Sequence, residues 1–324
     1  MLLKKLSLCL TLALALSGCT SNSNAKVNNH KASNDKPTVS TSSNDSSSSI
    51  ITEPSQDTKA TKPIDPPILP STPTKVEPVE QNNSFTPVEV SNDLGLQTKK
   101  IEWSWMYSPK DNEILLSKYH GYAFGDTSSK AIYLTFDEGY ENGYTASILD
   151  TLKANNVQAS FFVTESFVTG TFNGVKNVDL LKRMSQEGHL ICNHSVHHKS
   201  MPSFTDETTF NLELTGVQSL VDNIETLKMS KFFRPPMGDF SELSLYYTQK
   251  LGYKSIFFAL AHDDWDPNKQ PDPVTAKQNL LKETKPGMIC LLHALSKTNA
   301  SILDSLIKEW KSEGYQFKTL NELP

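Results

Sequence analysis

Several things are scarce in this chain, and each shortage excludes something. The one candidate membrane segment, residues 6–16, falls well short of the roughly 20 apolar residues a spanning helix needs. Basic residues are not in excess. The 31 Lys and Arg against 36 Asp and Glu leave a net charge of −5, and no basic patch stands out, so nucleic acid is not an expected partner. Four cysteines are present, and no spacing among them resembles a Cys-based zinc site. Cys192 and Cys290 both fall in expected strands and read as buried core thiols. A disulfide between them is the alternative for an exported protein.

The N-terminal third lacks the means to build a core. Residues 1–18 read as a signal peptide, with Lys4 and Lys5 before the apolar stretch. The stretch ends in Leu16-Ser17-Gly18-Cys19, which resembles a lipobox, so Cys19 is the expected lipidation site and first mature residue. An ordinary secretory signal is the alternative. Residues 19–98 are rich in Ser, Thr, Asn, Asp, Lys and Pro, and their sparse apolar residues have no period. Such a segment buries too little apolar surface to offset chain entropy. It reads as a disordered tether, stiffer over the proline-rich part, 63–73. The expected location is the outer face of a bacterial cell membrane, held there by the N-terminal lipid.

Residues 99–324 have a length suited to one α/β domain. Strand-like runs lie at 131–136, 159–163, 189–192, 232–234, 255–259, 288–292 and 316–320. Helical patterns lie between them at 143–155, 177–187, 206–229, 241–251, 274–284 and 299–312, with Gly188, Gly252 and Gly314 placed to end three of them. Seven strands alternating with helices predict a parallel sheet closed into a barrel. Asn173-Gly174 reads as a turn. Residues 99–130 are aromatic, with Trp103, Trp105, Met106, Tyr107, Tyr119 and Tyr122. They read as a strap across the barrel, with an aromatic platform for sugar rings as the alternative.

Chemistry concentrates at the strand ends. The run 131–136 stops at Asp137 and Glu138. Adjacent carboxylates raise each other's pKa, a cost that points to a metal, a catalytic base or both. His194 and His198 are four apart after an expected strand and, on a helical turn, would face one way toward a divalent metal. His197 between them reads as structural. Arg234 opens a rigid Arg-Pro-Pro-Met-Gly loop that can orient a carboxylate and present the Met237 N–H to an oxyanion. His262-Asp263-Asp264-Trp265 and His293 follow two later strands. His293 is a candidate general acid because several polar groups converge on the same rim.

Taken in order, 135–139, 194–198, 234–238, 264–265 and 291–293 resemble the five motifs of NodB-type polysaccharide deacetylases, carbohydrate esterase family 4. The run 136–144, the aromatics at 103–107 and the stretch 291–299 are similar to the subgroup that deacetylates muramic acid for the δ-lactam of spore cortex peptidoglycan. The resemblance implies a distorted barrel and metal-assisted hydrolysis of an N-acetyl group. It assigns Asp137 as base, Arg234 as its brace, His293 as acid and Met237 as oxyanion donor. Glu138, His194 and His198 become ligands of a divalent metal, zinc with cobalt or manganese as alternatives. Asp264 and Trp265 form the fourth motif behind the site. The implied partner is a peptidoglycan glycan strand, met by a monomer.

Three positions depart from the family pattern. Glu138 stands where the family has Asp and the subgroup often Asn. Ala261 stands where an acid often tunes the catalytic histidine, leaving Asp264 or Asp263 to substitute. Met237 replaces an arginine that some muramic acid deacetylases carry. Two other readings therefore stay open: an N-acetylglucosamine deacetylase on peptidoglycan or chitin-like glycans, and a non-catalytic cell-wall-binding protein on the same fold.

Overall fold

The computed structural model describes residues 94–104, 106 and 110–324. The expected signal peptide, the Cys19 lipidation site, nearly all of the tether, and Trp105 and Tyr107 of the strap lie outside the described residues. Among the described residues no helix is long and apolar enough to cross a membrane.

Strands and helices alternate as the pattern predicts: β1 Ala131–Glu138, α1 Thr145–Ala154, β2 Ser160–Val163, α2 Val178–Gln186, β3 Leu190–Asn193, α3 Glu207–Asp222, β4 Phe232–Phe233, α4 Glu242–Lys250, β5 Lys254–Ser255, α5 Pro273–Lys282, β6 Met288–His293, α6 Lys297–Ser312 and β7 Gln316–Lys318. The order across the sheet is β6-β1-β2-β3-β4-β5, all parallel. β7 pairs with the first half of β1, on the edge whose second half pairs with β2. The sheet is a curled, distorted barrel.

β1 pairs with three strands, β6, β2 and β7, and all eight of its residues are buried. Successive strand side chains point to opposite faces. Ala131 and Tyr133 therefore join Phe162, Cys192 and Ile289 inside the curl. Ile132, Leu134 and Phe136 face outward into a larger core with Leu149, Leu152, Leu181 and Met184 of the covering helices. Cys192 and Cys290 are free, buried thiols, and burial raises both pKa values.

Two boundaries differ from expectation. The helix predicted over 206–229 ends at Asp222, where the Asp222 carboxylate accepts the Met229 N–H (2.8 Å) and Thr226 takes a left-handed turn (φ 73°). The strand predicted over 255–259 pairs regularly only at Lys254–Ser255. Beyond it the chain crosses to β6, with Ala259 N donating to Ile289 O and Leu291 N to Leu260 O, both at 2.9 Å. That crossing narrows the open side of the curl.

The strap carries a helix, Lys110–Lys118, that aromatic composition alone did not indicate. Trp103 is buried, packs on Phe257 (ring centroids 5.2 Å) and donates its indole N–H to Phe258 O (2.7 Å). Its backbone N–H bonds Gly238 O (3.0 Å), and Ile101 and Glu102 pair antiparallel with Phe240 and Asp239. A Cβ at Gly238, whose φ is 72°, would lie 3.3 Å from Trp103 Cβ. Trp103 thus serves as a latch on the loop after β4 and is no exposed platform for a sugar.

Candidate active site

The C-terminal strand ends bring the expected residues to one rim. Asp137 ends the inward-facing row of β1, in register with His293 of β6. Arg234, almost wholly buried, reaches Asp137 Oδ1 through Nη1 (2.6 Å) and Thr135 Oγ1 through Nη2 (2.9 Å). Its guanidinium lies over the Phe162 ring at 4.2 Å. Thr135 in turn donates to Cys290 O (2.7 Å), so the brace is itself held. Burial opposes the Asp137 charge, but Arg234, His194 and His293 outweigh it and its pKa falls below the ordinary carboxylate value.

Asp264, completely buried, faces His293 with both oxygens. Oδ1 takes the imidazole Nδ1 and Oδ2 the backbone N–H, each at 2.8 Å. Of the two acids that could stand in for the one missing at Ala261, Asp264 does so; Asp263 is exposed. Desolvation works against a charged His293, yet Asp264 and Asp137 prevail and raise its pKa above 6.5. Nδ1 is engaged by a carboxylate, so Nε2 carries the proton available to a substrate. The site thus pairs a carboxylate biased toward its ionised form with an imidazole biased toward its protonated form, the complementary bias that acid–base chemistry needs.

The histidine pair arrives by a different route from the expected helical turn. Residues 194–198 form a loop in which Ser195 (φ 72°) and His198 (φ 51°) are left-handed. Asn193 Oδ1 accepts the Ser195 N–H and Ser195 Oγ the His198 N–H, both at 3.0 Å. The two rings still meet edge to face, 4.9 Å between centroids. His194 Nδ1 bonds Arg234 O (2.8 Å), and its Nε2 lies 3.5 Å from Asp137 Oδ2. Burial lowers the His194 pKa to about 4, and partial desolvation lowers that of His198 at the rim. His197 turns away and bonds Glu213 Oε1 (2.6 Å).

In the loop after β4, Met237 has φ 60°, unusual for a residue with a side chain. The turn closes with Gly238 N donating to Pro235 O (3.1 Å), which leaves the Met237 N–H outside the turn's own bonding. Met237, Trp265 and Tyr140 are exposed, and Trp265 directly follows the buried Asp264.

Comparison with known proteins fits this geometry. A family model described as polysaccharide deacetylase matches residues 124–256. The chain is 43% identical over 211 residues to the peptidoglycan-N-acetylmuramic acid deacetylase PdaA of Bacillus subtilis, covering 64% of this chain and 77% of that protein. The chain belongs to the polysaccharide deacetylase family. The solved structure of Bacillus subtilis PdaA, a family 4 carbohydrate esterase, superposes with a TM-score of 0.66 at 39% identity, over 70% of this chain and 98% of that one. More distant is the peptidoglycan-N-acetylglucosamine deacetylase PgdA of Listeria monocytogenes, 32% identical over 60% of this chain and 39% of that protein.

Deacetylases of this family are generally metal-dependent, and the donors here fit a divalent ion in part. Both imidazoles are held neutral. His194 gives its Nδ1 hydrogen to a backbone carbonyl, which frees Nε2 as a ligand, the usual outer arrangement around a metal-bound histidine. Glu138 does not join them, contrary to the expected three-ligand set. It is one residue past Asp137 on a strand, so it faces the helix side, where Thr145 Oγ1 donates to its Oε1 at 3.3 Å and its Oε2 has no partner. Burial first, then the neighbouring Glu141 and Asp137, raises its pKa well above the ordinary value. Among the described residues no group of three or more His, Cys, Asp or Glu is arranged to hold a metal. Glu138→Gln should therefore leave zinc affinity within about threefold by calorimetry, while His194→Ala lowers it by at least about tenfold, within the range that ligand-sphere changes produce. A tenfold loss in Glu138→Gln would show that the carboxylate swings round to the histidines.

Four residues enter the site that motif reading gave no role. Thr135 and Phe162 hold Arg234. His262 and Asn299 both touch Asp264 or its partners. The inward period of β1 could have indicated Thr135. Asn299 closes the 291–299 stretch that resembles the subgroup, but nothing local gives it a role, since it sits in the first turn of α6 and acts only across the fold.

Proposed function

We propose that this deacetylase removes the acetyl group from N-acetylmuramic acid residues of peptidoglycan. The likeness that carries this reading is the 43% identity to PdaA, against 32% to the peptidoglycan-N-acetylglucosamine deacetylase PgdA. The catalytic pair supports the same reaction. Asp137, braced by Arg234, takes a proton from the attacking water as the water oxygen bonds the acetyl carbon. The Met237 N–H lies in the loop that would receive the oxygen made negative by that attack. The C–N bond then breaks, and His293 Nε2 gives its proton to the leaving nitrogen. Acetic acid, which releases its proton to become acetate, and a free amine result, and Asp137 returns its proton to solvent while His293 regains one. A divalent ion held by His194 and His198, zinc or alternatively cobalt or manganese, would polarise the acetyl oxygen and acidify the water.

The N-terminal sequence supports an exported enzyme, anchored through a lipid on Cys19 to the outer face of the cell membrane and working on the wall beside it. The subgroup resemblance supports a role in spore cortex formation. The test is incubation with peptide-free glycan strands and each metal in turn, followed by mass spectrometry of the digested products. The expected result is one acetate released per muramic residue, with products able to close to a lactam. Deacetylated glucosamine alone would transfer the enzyme to the PgdA-like activity. No acetate with any metal would leave only a wall-binding role.

A further inference from the structure

Behind His293 lies a closed set of hydrogen bonds that the reaction as described does not use. Asn299 is completely buried. Its Nδ2 donates both hydrogens, one to Asp264 Oδ2 and one to His293 O (3.1 Å). Its Oδ1 faces His262 Nε2 at 3.0 Å. An amide oxygen can only accept, so the His262 Nε2 must carry hydrogen. The same Nε2 lies 3.3 Å from Asp264 Oδ2. Turning the Asn299 amide over would set its oxygen against a carboxylate and a carbonyl, so its orientation is fixed by these partners. The backbone of Asn299 is fixed too: its N–H bonds Ser296 Oγ (3.1 Å), and Ser296 Oγ donates to Gln270 Oε1 (2.5 Å). Gln270 Nε2 then returns to Asp264 O (2.9 Å).

We propose that Asn299 and His262 are positioning residues that hold the Asp264 carboxylate in the plane where it meets His293 Nδ1. The inference rests on His293 as proton donor. Asp264 Oδ2 accepts from two donors, the His293 N–H and Asn299 Nδ2, while His262 Nε2, whose hydrogen goes to Asn299 Oδ1, stands 3.3 Å away. With Oδ2 so occupied, Oδ1 is left for the imidazole alone. An amide at 299 gives two donors without charge, where a carboxylate would repel Asp264. An imidazole at 262 orients that amide. Small shifts in such outer partners commonly cost 10- to 100-fold in function without altering the reacting groups.

The test uses the full chain and three variants, Asn299→Ala, His262→Leu and His262→Gln. The glutamine keeps a donor nitrogen at the same reach and serves as the conservative control. Expected are a kcat lowered about 10- to 100-fold in the first two, KM within about twofold, and a kcat at least half restored in His262→Gln. Proton NMR without substrate gives a second readout. The hydrogen-bonded His293 Nδ1–H signal should be far downfield in the parent and His262→Gln, and displaced or exchange-broadened in the other two. An unchanged signal and unchanged kcat in folded His262→Leu would overturn the proposal. So would equal losses in His262→Leu and His262→Gln. If Asn299→Ala does not fold, the His262 pair decides alone. If the parent releases no acetate, the function reading fails while the NMR comparison still tests the positioning.

Discussion

Asp137→Asn should lower kcat by about 10³–10⁴, within the range that a positioned general base contributes, while leaving metal binding intact. The substitution keeps an oxygen for Arg234 Nη1, which now bonds Asp137 Oδ1 at 2.6 Å. The geometry therefore survives and the basicity does not. Some stability is lost, because Arg234 is buried and would have no opposite charge. Removing one member of a buried ion pair costs about 3–5 kcal/mol, and the retained hydrogen bond with the Thr135 and Phe162 contacts should hold the loss below that. Zinc calorimetry separates the outcomes. Full activity in the variant would refute Asp137 as base. Loss of activity together with loss of zinc binding would make Asp137 a ligand, which its 3.5 Å approach to His194 Nε2 makes worth measuring.

Asp264→Asn should lower kcat by about 10²–10⁴, the upper bound being the cost of the equivalent change behind the histidine of a serine protease. Two effects combine. With its oxygen kept by Asn299 and the His293 N–H, the amide presents a donor to His293 Nδ1 and so favours the wrong tautomer. The buried negative charge that stabilises the protonated imidazole is gone. The sign of the pH effect follows from the shifts. The proposed mechanism needs Asp137 ionised and His293 protonated. Asp137 is lowered and His293 raised, so the parent profile has a plateau whose alkaline limb lies above 6.5. Without Asp264 the imidazole loses its proton at lower pH, and the alkaline limb moves to lower pH. The acid limb, set by Asp137, should move little. A pH–kcat profile in which the alkaline limb stays in place would show that Asp264 does not set the protonation of His293.

Much of this architecture was legible in the sequence because the physics is local. Strand runs bounded by glycine-ended helices located all seven strands of the sheet, and strand ends located the rim. What failed were the positions where a local rule met a tertiary one. Asp137 and Glu138 are neighbours in sequence, which invited a shared site, but a strand sends them to opposite faces. That period was available in the residues themselves. His194 and His198 have helical spacing, yet the loop reaches the same meeting of rings through two left-handed residues, Ser195 and His198, neither of them glycine. Asn299 closes a stretch the sequence singled out, but its role is not readable there, because it lies in contacts with Asp264 and His262 that only the closed fold creates.

The pairing of β1 with β6 and β7 bears on when the enzyme can exist at all. Thr135 Oγ1 reaches Cys290 O across 155 residues of chain, and Arg234 depends on Thr135. The proposed base, Asp137, comes from the first strand of the domain and the proposed acid, His293, from the sixth, so on that mechanism neither half of the chain holds a working fragment. A ribosome or a secretion channel that has released everything up to β5 has released no activity. Contacts this distant also close slowly, since the entropy of joining the ends is spent before the pairing repays it. On the proposed mechanism, catalysis therefore begins only after β6 is delivered.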